Sequence, residues 1–353
     1  MLGHSALLAA TNTITPGFGN RLAGITGGTE AFDIDFHAGG GSVAVALGTA
    51  GVTIVRWSRT TGSQGDYGGA PGLKTTADNV ETVHFSSAGN SFTFSNDTFE
   101  TAQGLFAYPW SSVSGYGTRY SALTYGLSSA FSTNEDALLF GSSNAVVAYR
   151  WSPVSGLSSP YTAPSGLPVG VSYIRFAPSG NAVAFAHPTS PFLSAYQWIS
   201  GVGFGSKYSN PSPLPPISTD SRKLVFSPDG KALIICGRTS SSTVVGFRAY
   251  EWSDANGFGQ AYANPATPLL SSAFGCDFSP SGRSVAIVGA NGLKVYRWSS
   301  ELGFGSEYTA PLQNWRTSNV NARAVRFSPQ GDAIIIGHQA LSGLTTSIYE
   351  WSD

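Results

Sequence analysis

A tryptophan recurs along the whole chain at spacings of 41 to 54 residues. Each one ends a short apolar and aromatic run, such as VVAYRWS (146–152) or GFRAYEWS (246–253). Five residues after each of the first six, a glycine opens a segment of the type GFGSEYTAP (303–311). A period of this size indicates an architecture of stacked structural repeats. The repeated residues are Trp57, Trp110, Trp151, Trp198, Trp252, Trp298 and Trp351.

A second signature lies ahead of each tryptophan run. It reads LVFSPDGKALIICG (224–237) and CDFSPSGRSVAIVG (276–289), with weaker copies in other repeats. Ser-Pro-x-Gly favours a tight turn, because proline presets φ and glycine tolerates a positive φ. Apolar runs on both sides of such a turn predict a β-hairpin. Each repeat therefore contains four strands, the third of which ends in Trp-Ser.

Composition agrees with short strands joined by turns. The chain has 43 glycines, 20 prolines and 12% aromatic residues, but only 11% charged residues. The second and third strands are apolar nearly throughout, as expected for small sheets covered on both faces. Seven four-stranded sheets arranged around an axis form a seven-bladed β-propeller. We therefore predict an all-β fold with one domain over residues 1–353.

The two ends of the chain complement each other. The last repeat stops two residues after Trp351, so it lacks a fourth strand. Residues 11–25 (TNTITPGFGNRLAGI) contain a fourth-strand motif with no repeat before it. We predict that this segment pairs beside TSIYEWS (346–352). The last blade would then consist of about 320–353 plus about 11–25, which would close the ring and cover its open edges.

The repeats also resemble known families. FSPDGKALIICG (226–237) resembles the Ser-Pro-Asp-Gly propeller repeats of TolB-like proteins, and the third-strand tryptophan resembles that of WD40 repeats. Serine or isoleucine replaces the WD40 aspartate after the tryptophan, so the WD40 hydrogen-bond network does not carry over. Residues 183–216 are most similar to tandem WD40-like repeats of bacteriophage virion and tail-fibre proteins. The resemblance covers essentially the whole chain and implies a propeller with a role in a phage particle.

The charge and hydropathy of the sequence argue against several classes of function, and its cysteines indicate no disulfide. The formal net charge is −1 with no basic cluster, which argues against nucleic-acid binding. No apolar run reaches the roughly 20 residues that a membrane-spanning helix needs, and we predict no signal peptide. Cys236 and Cys276 lie in separate segments without a CxxC motif. We expect two buried free thiols rather than a disulfide.

No motif in the sequence indicates catalysis, a metal or a cofactor. GFGSKY (203–208) lacks the third glycine and the strand–helix context of a phosphate loop. His187 and His338 occupy equivalent positions in distant repeats, so we expect polar residues that finish a strand rather than metal ligands. Four carboxylates lie outside the repeat motifs, and nothing in the sequence pairs them for glycoside hydrolysis. These are Asp97, Glu100, Glu135 and Asp220.

The variable loops are the predicted binding face. The turns between strands one and two and between strands three and four are nearly constant, whereas the other two loop sets vary and emerge together. Binding residues are commonly carried by such loops on a rigid scaffold. Trp315 breaks the repeat pattern and is either an exposed recognition residue or a gap filler. The predicted contact residues are Phe99, Phe192, Arg238, Trp315 and Arg316.

The sequence therefore favours a non-enzymatic structural or interaction protein of a phage virion. Such a protein would decorate the capsid or tail or bind the host surface. Its expected partners are other virion structural proteins, a host-surface glycan, or further copies of itself related by virion symmetry. It would be part of the virion, which is assembled in the host cytoplasm. Two alternatives stay open, namely a carbohydrate-active tail enzyme (a glycan depolymerase) and an intracellular propeller scaffold.

Overall fold

The computed structural model describes residues 16–69, 79–96, 104–120, 126–218, 220–269, 271–311, 321–341 and 343–353. The regular elements in these ranges are β-strands, and no helix occurs among them. The first fourteen strands are β1 (Gly17–Leu22), β2 (Asp33–Phe36), β3 (Ser42–Ala46), β4 (Val52–Ser58), β5 (Gly62–Asp66), β6 (Val80–Phe85), β7 (Ser91–Asn96), β8 (Leu105–Ser111), β9 (Gly115–Tyr116), β10 (Ser128–Phe131), β11 (Ala137–Gly141), β12 (Val146–Ser152), β13 (Gly156–Pro160) and β14 (Tyr173–Phe176). The rest are β15 (Ala182–Ala186), β16 (Leu193–Ile199), β17 (Gly203–Lys207), β18 (Asp220–Phe226), β19 (Ala232–Arg238), β20 (Val245–Ser253), β21 (Gly257–Ala261), β22 (Ser271–Phe278), β23 (Ser284–Gly289), β24 (Gly292–Ser299), β25 (Gly303–Glu307), β26 (Ala322–Phe327), β27 (Ala333–Leu341) and β28 (Leu344–Ser352).

These strands form repeated four-stranded antiparallel sheets, which are consistent with propeller blades. Four of the sheets are β2–β5, β6–β9, β10–β13 and β14–β17. A fifth has the order β1-β28-β27-β26. An eight-stranded sheet joins β18–β21 to β22–β25 through a short parallel pairing of Val245 with Ser271 and of Gly246 with Ser272. The predicted all-β class and four-strand repeat are therefore confirmed.

The two ends of the chain meet in one sheet. β1 runs antiparallel to β28, with Gly17 opposite Ser352 and Phe18 opposite Trp351. The Phe18 ring lies edge-on to the Trp351 ring with a centroid distance of 5.0 Å. The predicted pairing of 11–25 is thus observed for Gly17–Leu22, whereas residues 11–15 lie outside the described ranges.

The Ser-Pro-x-Gly turns adopt the conformation that the sequence predicts. Gly230 has φ +66° and Gly180 has φ +77°. In the third repeat Glu135 replaces the glycine and takes φ +55°. The side-chain Oγ of Ser227 accepts hydrogen bonds from the backbone N–H groups of Lys231 (3.2 Å) and Ala232 (2.9 Å), which fixes the hairpin.

The repeat tryptophans share two kinds of contact with aromatic rings. One is with the phenylalanine that ends the first strand of its own repeat, as in Phe226 and Trp252 at 5.2 Å. The other, in six repeats, is with the tyrosine of the preceding repeat's Gly-x-Gly-type segment, at 5.0–5.3 Å and edge-on. The prediction that the tryptophans pack between repeats is confirmed. The tyrosines are Tyr67, Tyr120, Tyr161, Tyr208, Tyr262 and Tyr308.

In five repeats the same packing explains the glycine that lies five residues after the tryptophan. Gly257 has φ +76°, and a Cβ there would lie 2.7–2.8 Å from atoms of Tyr208. The Tyr208 hydroxyl donates to the Asp254 carbonyl at 2.5 Å, so the ring is held directly over the turn. Glycine is therefore required both by the backbone conformation and by the approach of the neighbouring tyrosine.

The first and last repeats share a hydrophobic core. Ile25, Ile34 and Trp57 belong to the same buried cluster as Ile335 and Ile348. The Ala31 N–H donates to the His338 carbonyl at 3.1 Å. The first strands β2, β6, β10, β14, β18, β22 and β26 each contact the first strand of the next repeat, and β26 contacts β2.

Both cysteines are free and buried, as predicted. Cys236 on β19 and Cys276 on β22 lie in one hydrophobic cluster. Burial and a hydrogen bond with Cys276 raise the pKa of the Cys236 thiol, which therefore stays protonated. Over the described ranges, none of the chain forms a helix suited to crossing a bilayer.

Candidate functional site

The first strands carry an ionisable residue where an apolar strand would not be expected to have one. The position directly before the terminal phenylalanine is ionisable in five of the seven repeats. These side chains come from distant parts of the chain and meet in one cluster, which also contains Asp33, Tyr173 and Lys223. We call it the first-strand charge cluster. The five residues are Asp35, His84, Arg175, Asp277 and Arg326.

Arg326 is the hub of this cluster. Its Nη2 lies 3.2 Å from Asp35 Oδ1 and its Nη1 lies 3.1 Å from Asp277 Oδ1. Its Nε donates to the Ile34 carbonyl at 3.0 Å. Burial disfavours its charge, but the two carboxylates outweigh that effect and raise the pKa of Arg326 further. The guanidinium thus links the strands β2, β22 and β26.

His84 lies between a carboxylate and a second guanidinium. Its Nδ1 is 3.9 Å from Asp35 Oδ2 and 3.1 Å from Arg175 Nη1. Burial, followed by the positive charge of Arg175, lowers the pKa of His84 to about 4, so the ring is neutral at pH 7. Burial opposes ionisation of Asp35, but Arg326 and His84 prevail and lower its pKa to about 2. Arg175 also donates to the Tyr173 hydroxyl at 2.7 Å.

Lys223 forms the third charged contact. Its Nζ makes an ion pair with Asp33 Oδ1 and lies 4.4 Å from the centroid of the Tyr173 ring. Burial lowers the pKa of Lys223 to about 8, against the opposing effect of Asp33. Three carboxylates (Asp33, Asp35, Asp277) therefore face three cations (Lys223, Arg175, Arg326), and the charges of the cluster balance.

The same carboxylates hold the backbones of neighbouring strands. Asp33 accepts from the Val83 N–H at 3.2 Å and Asp35 from the Phe85 N–H at 2.9 Å. Asp277 accepts from the Phe327 N–H at 2.8 Å. Apart from the short pairing of β22 with β20, the described first strands are paired with a named strand on one edge only. The carboxylates satisfy backbone donors on the other edge that would otherwise be buried alone.

A cavity of about 240 Å³ lies beside the cluster, where the first strands begin. We call it the Arg323 cavity. Tyr173, Lys223, Thr82, Gly170 and Pro188 complete its wall. Each of the seven repeats contributes one residue to the main lining. This residue lies in the first strand or just before it, three positions N-terminal to the residue that precedes the terminal phenylalanine. These seven residues are Phe32, Glu81, Leu127, Ser172, Arg222, Phe274 and Arg323.

Arg323 is held firmly at this cavity. Its Nε donates to Glu30 Oε1, and its guanidinium carbon lies 4.7 Å from the centroid of Phe274 and 6.0 Å from that of Phe32. Stacking on an aromatic face and a charged hydrogen bond together fix the orientation of a guanidinium. Arg323 is therefore a pre-oriented cation at the wall of a small polar cavity.

A second cavity of about 220 Å³ lies at the opposite ends of the first strands. It is lined by Asp35, His84, Arg175 and Arg326 of the charge cluster and by residues of the first turns, such as Ser87 and Thr133. We call it the Arg175 cavity. The charge cluster thus separates two cavities, one toward each end of the first strands.

The structure places two of the five predicted contact residues. The guanidinium carbon of Arg238 is 5.9 Å from the centroid of Phe274, a lining residue of the Arg323 cavity. Phe192 has φ +67° and packs against a hydrophobic cluster, in the same loop as the lining residue Pro188. The predicted residues Phe99, Trp315 and Arg316 lie outside the described ranges.

Of the carboxylates considered for hydrolysis, one has a structural role and two lie outside the described ranges. Glu135 Oε1 accepts from the backbone N–H of Ala88 and from Ser87 Oγ, so it joins two neighbouring turns. Asp220 is the first residue of β18, in register with Arg238. Asp97 and Glu100 are not among the described residues.

The two equivalent histidines have structural contacts. The Nε2 atoms of His187 and His338 each lie 3.0 Å from a serine hydroxyl on the next strand, Ser194 and Ser347 respectively. Burial lowers the pKa of both rings. In the described part of the chain no three histidine, cysteine, aspartate or glutamate side chains are grouped to hold a metal ion.

Sequence reasoning missed the charge cluster and the cavity. The signal was present, because the residue before the terminal phenylalanine varies among the repeats (Asp, His, Ala, Arg, Val, Asp, Arg) while the phenylalanine itself is constant. No family model matches the sequence, and no curated protein matches it either. The resemblance to TolB-like, WD40 and phage repeats therefore rests on the repeat motifs alone.

Proposed function

We propose that the chain is a single seven-bladed β-propeller over residues 1–353, in which the N-terminal strand completes the last blade. The pairing of β1 with β28 and the core shared by the first and last repeats support this arrangement. The cyclic contacts of the first strands, from β2 through β26 and back to β2, support it further. The Arg323 cavity would then lie on the propeller axis.

Removal of β1 tests the closure. A variant lacking residues 1–22 loses the partner of β28 and the Phe18 contact with Trp351, and it exposes a strand edge. We expect it to unfold at a clearly lower denaturant concentration or to aggregate. A variant lacking residues 1–15 keeps β1 and is the matched control. Equal stability of the two truncated chains would contradict the closure.

We infer that this propeller is a non-enzymatic structural or interaction protein of a phage particle, which decorates the capsid or tail or contacts the host surface. The virion assignment rests on the repeat resemblance. One observation favours binding over catalysis: the central carboxylates Asp33, Asp35 and Asp277 are each committed to a cation and to a backbone N–H. A general acid or base must instead be able to exchange its proton with a substrate.

Mass spectrometry of purified particles from the source tests the virion assignment. We expect the chain in a fixed proportion to the major capsid protein. A high copy number would indicate capsid or tube decoration, and a low one a tail-tip or host-binding role. Absence from the particles would contradict the assignment and favour the intracellular scaffold, whose partners would then be sought by pull-down from the host.

A further inference from the structure

The Arg323 cavity has an uneven distribution of charge. In chain order, the last three of its seven lining residues are Arg222, Phe274 and Arg323, and Lys223 lies next to Arg222 in the wall. The lining residues from the second to the fourth repeats are Glu81, Leu127 and Ser172. One part of the cavity therefore carries three cationic side chains and an aromatic ring, with Lys223 paired to Asp33 and Arg323 paired to Glu30, and another part carries a carboxylate, an apolar side chain and a hydroxyl.

Arg323 has donors to spare for a ligand. Within the described ranges its Nε is bonded to Glu30, and its two terminal nitrogens carry no hydrogen bond. Paired terminal N–H groups are suited to bidentate recognition of a carboxylate. Because Phe274 and Glu30 already fix the guanidinium, little conformational entropy is lost when a ligand binds.

Glu81 restricts the kind of anion that fits. A carboxylate side chain accepts hydrogen bonds and repels negative charge, so a small dianion filling the cavity would meet it unfavourably. A ligand with a single carboxylate at the arginine end and hydroxyl groups at the other end would match both the arginine and Glu81. The hydroxyl groups would donate to Glu81 and exchange hydrogen bonds with Ser172.

The size of the cavity limits the ligand as well. A space of about 240 Å³ is smaller than the ~300–1,000 Å³ of sites for drug-sized ligands. It suits one small ring rather than a chain of several residues. A polymer could enter only by its terminal residue.

From these observations we propose that the Arg323 cavity binds a hydroxylated carboxylate of the acidic-sugar class, with the carboxylate on the terminal nitrogens of Arg323, near the positive charge of Arg222, and the hydroxyl groups toward Glu81. The ligand is either a free sugar acid or the terminal acidic residue of a glycan. This inference rests on the proposed function as a binding protein and names the chemistry that its central cavity would recognise.

Titration calorimetry on the full-length chain tests the proposal, with glucuronate as the probe. We expect saturable binding of glucuronate and at least tenfold weaker binding of its methyl ester and of glucose, because neither of these has a negative charge for the arginines. A second arm uses an immobilised oligosaccharide that ends in glucuronate. Tighter binding of the oligosaccharide than of the free acid would identify a glycan as the source, and binding of the free acid alone would identify the small molecule.

Matched arginine variants connect the binding to the cavity. Arg323→Met and Arg222→Met should each weaken glucuronate binding at least tenfold, since hydrogen bonds to charged groups are the strong ones. Arg59→Met removes the same charge from an exposed turn between β4 and β5 and should leave binding unchanged. Circular dichroism of each variant confirms that it is folded before the titration is interpreted.

Three results would overturn the proposal: no binding of glucuronate in either arm, equal binding of glucose, or unchanged binding by both cavity variants. Because the titration uses the purified chain, its outcome does not depend on whether the chain occurs in particles. Presence in particles together with no binding of either acid would reject the sugar site and leave the virion role intact.

Discussion

Neighbouring repeats contact each other in two regions, near each tryptophan and between the first strands. The two regions differ in their chemistry. Near the tryptophans, six copies use the same tyrosine, tryptophan and glycine, so the interface is apolar and uniform. Among the first strands, the side chains in contact change from repeat to repeat, and several of the contacts are ionic. The repeat thus has a uniform apolar column near the tryptophans and a variable, partly ionic column beside the cavities, where we propose that recognition occurs.

The energetics of the two regions differ accordingly. Edge-on aromatic pairs contribute about 0.5–1.5 kcal/mol each beyond the area they bury, and a single loss is tolerable. A buried ion pair contributes little net stability, yet removal of one partner leaves a charge without compensation. We therefore expect the loss of one charge from the first-strand charge cluster to be more damaging than the loss of one edge-on aromatic contact.

The largest effect is expected for Arg326→Met. This substitution leaves Asp35 and Asp277 without their shared cation, which should lower the free energy of unfolding by about 3–5 kcal/mol. Arg297→Met is the matched control, because Arg297 is exposed and contacts the Tyr308 hydroxyl at 3.3 Å. It should cost less than about 1 kcal/mol. Urea denaturation measures both, and equal losses would refute the contrast drawn above.

Acidification should destabilise the protein through its buried histidines. The pKa of His84 is about 4 in the fold against 6.5 for an unperturbed histidine, so the unfolded chain binds more protons between these pH values. The stability that neutral His84 preserves is complete above pH 6.5 and falls as the pH drops toward 4. The free energy of unfolding should fall by about 1.4 kcal/mol per pH unit, which amounts to about 2 kcal/mol between pH 6.5 and 5.

Unfolding free energies at pH 7, 6 and 5 measure this slope. His84→Gln keeps a polar side chain beside Arg175 but cannot be protonated. The slope of its unfolding free energy against pH should therefore be smaller, by the amount that corresponds to about one proton. The lowered pKa of Asp35 does not interfere, because its contribution is lost only below pH 3.8 as the pH falls toward 2. An unchanged slope in the variant would show that His84 is not a source of the acid sensitivity.

The sequence predicted the repeated part of the molecule and not the first-strand charge cluster, for a physical reason. The turn at Gly230 and the packing of Trp252 depend on local chemistry and on a motif that recurs, so one copy explains the others. The ion pairs of Arg326 join residues 49 and about 290 positions away, and no repeat motif specifies them. Only alignment of the repeats on their terminal phenylalanines, with attention to the column that varies, would have indicated these residues.

A smaller effect is expected for Gly257→Ala. Alanine must adopt φ +76°, and its Cβ would approach Tyr208 to within 2.7–2.8 Å. Gly201→Ala is the matched control, since Gly201 has φ +73° but a Cβ there would meet no atom within 4 Å. Both variants incur the cost of the left-handed conformation, about 1–2 kcal/mol. Only Gly257→Ala should also lose the packing of the tyrosine, and equal melting temperatures would contradict that role.

The smallest effect is expected at Tyr208 itself, where Leu22 provides a natural comparison. Leu22 takes the tyrosine's place in β1 and packs against the cluster that contains Trp57. Tyr208→Phe removes the hydrogen bond to the Asp254 carbonyl but keeps the ring against Trp252, so it should cost about 1 kcal/mol. Tyr208→Leu removes the ring as well and should cost more. Denaturation curves for the two variants measure both losses of unfolding free energy. Equal losses would mean that the hydroxyl carries the whole contribution of Tyr208. The aromatic edge contact with Trp252 would then add nothing beyond the contact that a leucine makes.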